Sequence, residues 1–107
     1  MTLYTEKSFT PYHIISIFRR DEKIGSAFFY IIENRRGLYG LIEDIEVIEK
    51  YRGQGIGKEL VKNIIEIAKS EGCYKIIATS RTSRKNVHKF YTSLGFKKWG
   101  YEFRMDL

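Results

Sequence analysis

Apolar and polar positions alternate along the first half of the chain, in segments that polar turns separate. Three segments are rich in β-branched and aromatic residues: His13–Phe18, Lys23–Glu33 and Leu38–Ile48. Such segments, bounded by clusters like the one at residues 34–37, are typical of strands joined as hairpins. In the third segment, strict alternation predicts one strand face formed by Leu41, Glu43, Ile45 and Val47.

The spacing of the apolar residues becomes helical after Gly55. From Gly55 to Ser70 one stripe is apolar, Lys, Glu and Asn residues cover the opposite side, and Gly72 is a typical C-terminal stop. The stripe consists of Leu60, Val61, Ile64, Ile67 and Ala68. This pattern predicts an amphipathic helix.

The rest of the chain predicts a strand, a second helix and a last strand. Tyr74–Ser80 is typical of a buried strand, and Ser83–Leu94 of a helix that a glycine cap at Gly95 ends. The tail has aromatic residues at alternate positions, namely Trp99, Tyr101 and Phe103. The order of elements predicts a single α/β (α+β) domain over residues 1–107, with a mixed, mostly antiparallel sheet and two main helices.

Composition limits the class of protein further. The longest apolar run is Ala27–Ile32, far short of the roughly 20 residues that cross a bilayer. The single cysteine, Cys73, cannot form an internal disulfide, and no secretory signal is visible at the N-terminus. We therefore expect a cytoplasmic protein that does not bind membranes. The net charge of +6 is compatible with a solvated surface or with an anionic partner, and charge alone does not choose between them.

A glycine-rich turn joins the third strand segment to the first helix. Its sequence is Arg52-Gly53-Gln54-Gly55-Ile56-Gly57-Lys58. Glycines let backbone amides turn inward, and the helix N-terminus beyond them offers free N–H groups and the positive end of the helix dipole. The turn therefore suits a phosphate or pyrophosphate group, although a tight turn without a ligand remains an alternative.

Two common glycine motifs do not fit this turn. A dinucleotide-binding fingerprint requires glycine three positions after Gly55, where Lys58 stands. A P-loop requires Ser or Thr after Gly57-Lys58, where Glu59 stands, and glycine at the position of Arg52.

The turn and the second helix resemble a known family. Arg52, Gly55 and Gly57 fill the fixed places of R/Q-x-x-G-x-G/A, which is the acetyl-CoA signature of GNAT acetyltransferases. The segment from Val87 to Phe96 is similar to the family's A-x-x-F-Y-x-x-L-G-F. The resemblance covers about residues 13–107, and it implies a GNAT fold and an enzyme that moves an acetyl group from acetyl-CoA to a primary amine by direct attack.

The resemblance also implies where acetyl-CoA binds. The glycine turn would hold the pyrophosphate, and the strand edge at residues 45–47 would bind the pantetheine arm as an added strand. The expected cofactor-binding residues are therefore Ile45, Glu46, Val47, Arg52, Gly53, Gln54, Gly55, Ile56, Gly57, Lys58, Arg84 and Tyr91. Many family members have Asn where this chain has Arg84, and Arg84 could still meet a cofactor phosphate.

Two residues are the candidates for proton transfer. Glu43 is the only charged residue on the face that alternation assigns to Leu41, Ile45 and Val47, so it is the candidate general base acting through a water, unless it is simply paired with a Lys or Arg. The resemblance puts the hydroxyl of Tyr91 near the sulfur of the coenzyme, where it would protonate the leaving thiolate. A core tyrosine bonded to a backbone carbonyl is the alternative.

The acceptor side stays open at this stage. Family members usually carry two helices between their first two strands, and only twelve residues precede His13. The acceptor site is therefore expected to be open or completed by a second subunit, and exposed apolar sheet suggests a homodimer. Small amines, peptides and proteins all remain candidate acceptors.

Two other classes of function compete with the enzyme. The missing helices are compatible with a non-catalytic module that binds CoA or a partner on the same fold. The positive charge is compatible with nucleic-acid binding, which we do not expect because no recognition motif is present. His13, His88 and Cys73 lack the spacing of metal ligands, so no metal is expected.

Overall fold

The computed structural model describes residues 1–107, which form two compact units. The first unit (residues 1–77) contains the hairpin strands β1 (Tyr12–Arg19), β2 (Glu22–Asn34) and β3 (Gly37–Val47), a short 3-10 helix (Glu49–Tyr51) and the helix α1 (Ile56–Ser70). The strand β4 (Ile76–Ala78) follows, and the second unit (residues 78–107) contains the helix α2 (Lys85–Ser93).

One four-stranded mixed sheet has the order β1-β2-β3-β4. β1 and β2 are antiparallel, as are β2 and β3. Tyr74 N donates to Leu38 O at 2.8 Å and Gly40 N donates to Lys75 O at 2.9 Å, so the β4 segment advances in the same direction as β3. The parallel pairing follows from the crossover through α1. The predicted fold class is confirmed.

The core lies between α1 and one face of the sheet. Its buried members are Ile24, Ala27, Phe29, Ile31, Ile42, Leu60, Val61, Ile64 and Ala68. A Cβ on Gly25 would lie 2.8 Å from Ile56 Cγ2 and 3.4 Å from Leu60 Cδ1, which shows how closely the N-terminal end of α1 approaches β2. Four residues of the predicted apolar stripe are buried as expected, and Ile67 is half-buried.

Both helices end in the predicted glycine caps. Cys73 N donates to Ala68 O and Gly72 N to Lys69 O after α1, while Phe96 N donates to Tyr91 O and Gly95 N to Thr92 O after α2. Gly72 and Gly95 have φ values of +79° and +94°. The two bonds and the left-handed glycine define a Schellman motif at each end.

The strict alternation expected along β3 is wrong. Val47 pairs with Gly25 and Ile42 pairs with Phe29, so both face α1 although an odd number of positions separates them. The register shifts between Ser26 and Phe28, where Asp44 and Ile45 together lie opposite Ala27. This β-bulge reverses the phase. Leu41 and Glu43 consequently face away from α1, whereas Ile45 and Val47 face towards it.

Two other expectations about strands fail. β4 has only three residues, Ile76–Ala78, instead of the predicted Tyr74–Ser80. The tail forms no strand: the exposed fractions of Trp99, Tyr101 and Phe103 are 93%, 87% and 94%. An alternating sequence becomes a strand only where another strand supplies its hydrogen bonds, and the structure gives the tail none.

Candidate active site

The glycine turn (residues 52–58) owes its shape to two left-handed residues. Gly53 and Gly55 have φ values of +78° and +84°, a region that side chains with a Cβ rarely adopt. A Cβ on either would have no atom within 4 Å. These glycines are therefore required by the backbone conformation, and the surface above them is open.

The turn exposes a run of unused backbone donors. The N–H groups of residues 53–58 donate no hydrogen bond within the chain, and the first bond of α1 runs from Glu59 N to Gly55 O at 3.0 Å. These amides coincide with the positive end of the α1 dipole, and Lys58 adds a full charge. The arrangement suits a phosphate or diphosphate, as the sequence predicts.

Side chains of the turn bond back to the strand and helix before it. Arg52 Nε donates to Val47 O at 2.9 Å, and Gln54 Nε2 donates to Lys50 O at 3.4 Å. The Arg52 contact holds the exposed guanidinium beside the end of β3. It thereby links the turn to the strand edge that would carry the rest of the cofactor.

Sequence reasoning missed another cation beside this turn, Arg19. The guanidinium carbon of Arg19, at the end of β1, lies 5.0 Å from the centre of the Tyr51 ring, and Lys50 Nζ lies 5.3 Å from the same centre. No local pattern relates Arg19 to Tyr51. Only the pairing of β1, β2 and β3 brings that end of β1 to the start of the turn.

The edge of β3 is open where the pantetheine arm was expected. The bonded residues Tyr74 and Leu38 differ by 36 in residue number, and Lys75 and Gly40 differ by 35. With the same offset, Ile77 lies beside residue 41 or 42 of β3. Residues 45–47 therefore have no neighbouring strand on that side. The bulge lies at the start of this open edge, and bulges leave backbone groups outside the regular ladder.

Glu43 lies next to the bulge on the face that α1 does not cover. It pairs with Phe28 of β2, is half-buried, and forms neither an ion pair nor a side-chain hydrogen bond. The reading of Glu43 as a merely paired carboxylate is thus not supported. The prediction that Glu43 shares a strand face with Ile45 and Val47 is wrong. Glu43 nevertheless lies beside the bulge, whichever face it occupies.

The second unit carries the two other predicted residues. Arg84 is the N-cap residue of α2, is exposed, and lines a shallow pocket with Ser83, Lys85, Asn86 and Val87. Tyr91, near the end of α2, is half-buried, and its ring centroid lies 5.2 Å from those of Phe90 and Phe96. These contacts fix the position of the Tyr91 ring within the unit.

The surroundings of His88 and Cys73 indicate structural roles for both residues. His88 Nε2 donates to Arg81 O at 2.8 Å, which ties the first turns of α2 to the preceding loop. Burial and the nearby charge of Glu71 raise the pKa of the Cys73 thiol, which opposes formation of a thiolate nucleophile. No group of three or more His, Cys, Asp or Glu residues is arranged to hold a metal ion. No helix has the length and apolarity needed to span a bilayer.

Comparison with known proteins gives the family. The acetyltransferase (GNAT) family matches residues 2–96. A glucosamine 6-phosphate N-acetyltransferase of Trypanosoma brucei brucei is 46% identical over 68 residues, which are 64% of this chain and 44% of that protein. A thialysine N-ε-acetyltransferase of Mus musculus is 32% identical over 68 residues, covering 64% of this chain and 40% of that protein.

Solved structures agree with the sequence comparison. The crystal structure of glucosamine-6-phosphate N-acetyltransferase from Arabidopsis thaliana superimposes with a TM-score of 0.72 and 27% identity, over 80% of this chain and 58% of that chain. The two curated relatives in the preceding paragraph are longer proteins, and this chain spans less than half the length of each. The family match, the two motifs and the open turn agree: the chain belongs to the acetyltransferase (GNAT) family.

Proposed function

We propose that the protein transfers an acetyl group from acetyl-CoA, the cosubstrate of its family, to a primary amine. The observation that carries this proposal is the run of unbonded amides at residues 53–58 beside the open edge of β3. The free donors fit a diphosphate, and the open edge fits an extended amide-containing arm. A non-catalytic CoA-binding module is not favoured, because the curated relatives are named as N-acetyltransferases.

The residues provide for each part of the reaction. A backbone N–H of the open edge would polarise the thioester carbonyl. The amine nitrogen forms a bond to the carbonyl carbon, and the bond between that carbon and sulfur breaks. Glu43 accepts the proton that the amine loses, through a water, and the hydroxyl of Tyr91 gives a proton to the departing thiolate. One amide and one free thiol result. Glu43 is then protonated and Tyr91 deprotonated, and transfer of that proton from Glu43 to Tyr91 through water restores both groups, so protons and charges balance.

The test is binding followed by turnover. Acetyl-CoA well above its Kd should raise the thermal unfolding temperature, because it binds only the folded state. A panel of primary amines should then release free thiol at a rate that depends on the amine. In Tyr91→Phe we expect kcat to fall about a hundredfold with little change in KM for acetyl-CoA, since general acid catalysis contributes about that factor.

Tyr74→Phe is the matched control for this substitution. Tyr74 is a half-exposed tyrosine whose hydroxyl accepts a hydrogen bond from Asn34 at 2.9 Å, away from the glycine turn. It should leave both kinetic constants unchanged. An absent thermal shift, together with no thiol release from any amine, would refute the proposed function.

A further inference from the structure

The sheet face opposite α1, here called the open face, carries a regular grid of side chains. Pairing across the three strands gives the rows Tyr12–Tyr30–Leu41, Ile14–Phe28–Glu43 and Ser16–Ser26–Glu46. α1 packs against the other face of the same strands, where Phe29 and Ile42 are buried. Tyr12 and Ile14 are each 56% exposed.

Three rings on this face form a stacked cluster, here called the aromatic ladder. The ring centroids of Tyr12 and Tyr30 are 5.4 Å apart, and the centroid of Phe28 lies 6.4 Å from each of them. The angles between the ring planes are 12° to 28°. Stacked rings cover one another's faces, so their edges remain exposed to a ligand. Ring edges favour contact with the face of another aromatic ring.

The polar end of the open face is acidic. Glu43 and Glu46 occupy neighbouring rows, and neither forms an ion pair or a side-chain hydrogen bond. The three rows contain no Lys or Arg. A positively charged ligand complements this end, whereas the dianion of a phosphate ester would meet two carboxylates and no cation.

We infer that the open face binds the acceptor and selects a primary amine attached through a short chain to an aromatic ring. The ring lies on the aromatic ladder, and the ammonium group arrives at Glu43 and Glu46, beside the bulge. The ammonium group releases one proton to water, and Glu43 then takes the proton that the attacking nitrogen loses. This inference rests on the proposed function, and it departs from the phosphorylated amino sugar named for several relatives.

The first experiment compares acceptors with the full chain and saturating acetyl-CoA, following release of free thiol. The probes are 2-phenylethylamine, propylamine and glucosamine 6-phosphate. We expect kcat/KM for 2-phenylethylamine to exceed that for each of the others by about tenfold or more, which is the size of one good aromatic contact. An equal or higher value for glucosamine 6-phosphate would overturn the inference while leaving the proposed function intact.

The second experiment locates the site without turnover. Binding of 2-phenylethylamine to the protein is measured by ligand-observed NMR in the presence of CoA. Phe28→Leu and Tyr30→Leu should each weaken binding about five- to tenfold, while Tyr74→Leu, an aromatic residue outside the open face, should not. Thermal unfolding checks that each variant is folded.

The two readouts separate the ways in which the inference can fail. Amine binding that Phe28→Leu and Tyr30→Leu leave unchanged places the acceptor elsewhere and overturns the inference. Binding that these variants weaken, with no thiol release from any amine, retains the ligand site and refutes only the transfer reaction. Absence of binding together with turnover of all three amines at similar rates also overturns the inference.

Discussion

Glu43 and Asp44 are adjacent carboxylates with different surroundings. Glu43 is half-buried beside Phe28, while Asp44 is exposed with a φ of +50°. We predict that Glu43→Gln lowers kcat about a hundredfold, because the amide cannot accept the proton, with little change in KM for acetyl-CoA. Steady-state thiol release over a range of acetyl-CoA concentrations measures both constants.

Asp44→Asn is the matched control for that substitution. Asn tolerates the left-handed conformation of Asp44 and removes the same charge one position away. It should change kcat less than twofold. Equal losses in the two variants would mean that negative charge near the bulge, and not proton transfer at Glu43, supports the reaction.

Cys73 illustrates how a residue's surroundings set its reactivity. Burial and the charge of Glu71 raise the pKa of its thiol in the folded state. A raised pKa contributes stability that is complete below the pKa of the unfolded thiol and is lost as the pH rises through the folded value. We predict slower alkylation by iodoacetamide in the native protein than in urea at the same mildly alkaline pH.

Glu71→Gln should move the native alkylation rate part of the way towards the unfolded rate, because burial remains. Cys73→Ser should release thiol from acetyl-CoA at the rate of the unchanged chain. Loss of activity in Cys73→Ser, with an unchanged unfolding temperature, would give the thiol a role that its surroundings do not indicate.

The elements of the first unit place the free amides, and two glycines allow a matched test. Gly55 and Gly72 have φ values of +84° and +79°, and a Cβ on either would meet no atom within 4 Å. Gly55→Ala and Gly72→Ala should therefore cost a similar free energy of unfolding, about 1 kcal/mol each. Only Gly55→Ala should also weaken acetyl-CoA binding, because only Gly55 lies in the glycine turn.

Urea unfolding and isothermal titration of acetyl-CoA measure the two quantities separately. If both variants bound acetyl-CoA with the affinity of the unchanged chain, the backbone shape of the turn would have no part in binding. If both lost affinity alike, the effect would come from lower stability instead of the turn.

The helices could be predicted from sequence because their signals are local. The apolar stripe of α1, and the glycines that end α1 and α2, act within one or two turns of the chain. The bulge at Asp44–Ile45 could not be predicted, because an aspartate inside an alternating segment does not by itself indicate a left-handed residue. The extra residue becomes visible only when β3 is paired with β2. The strand face predicted for Glu43 was wrong for that reason.

The position of the glycine turn was predictable, since its motif is contiguous in the chain. Its companion Arg19 was not, because Arg19 reaches Tyr51 through strand pairing. The aromatic ladder lay between these cases. Phe28 and Tyr30 flank the buried Phe29, and alternation places them together, but Tyr12 joins them only through the register of β1.

At the scale of the whole molecule, the tail is the feature that solvent contact should reveal. Apolar residues at alternate positions are almost fully exposed, from Trp99 to Leu107. The chain has one tryptophan, so its fluorescence reports on the tail alone. We predict the emission of a hydrated indole in dilute solution, with quenching by acrylamide close to that of the urea-unfolded chain.

Self-association remains a prediction, and the tail is the apolar surface that now supports it best. Raising the protein concentration should then shift the emission of Trp99 to shorter wavelength, because association removes water from the indole. A chain ending at Lys97 should scatter light as a monomer at the same concentration. Blue-shifted emission at every dilution would instead mean that the tail packs within its own chain.

The additional residue in β3 has a consequence for protein engineering. With Asp44 deleted, Glu43 and Ile45 would become neighbours, and both would keep the sides of the sheet that they now occupy. The hydrophobic interior would be untouched, yet the local kink in the edge would disappear. We expect such a chain to unfold at nearly the original temperature and to release almost no thiol, as differential scanning fluorimetry and a turnover assay can check. A single missing codon would then separate the capacity to fold from the capacity to catalyse.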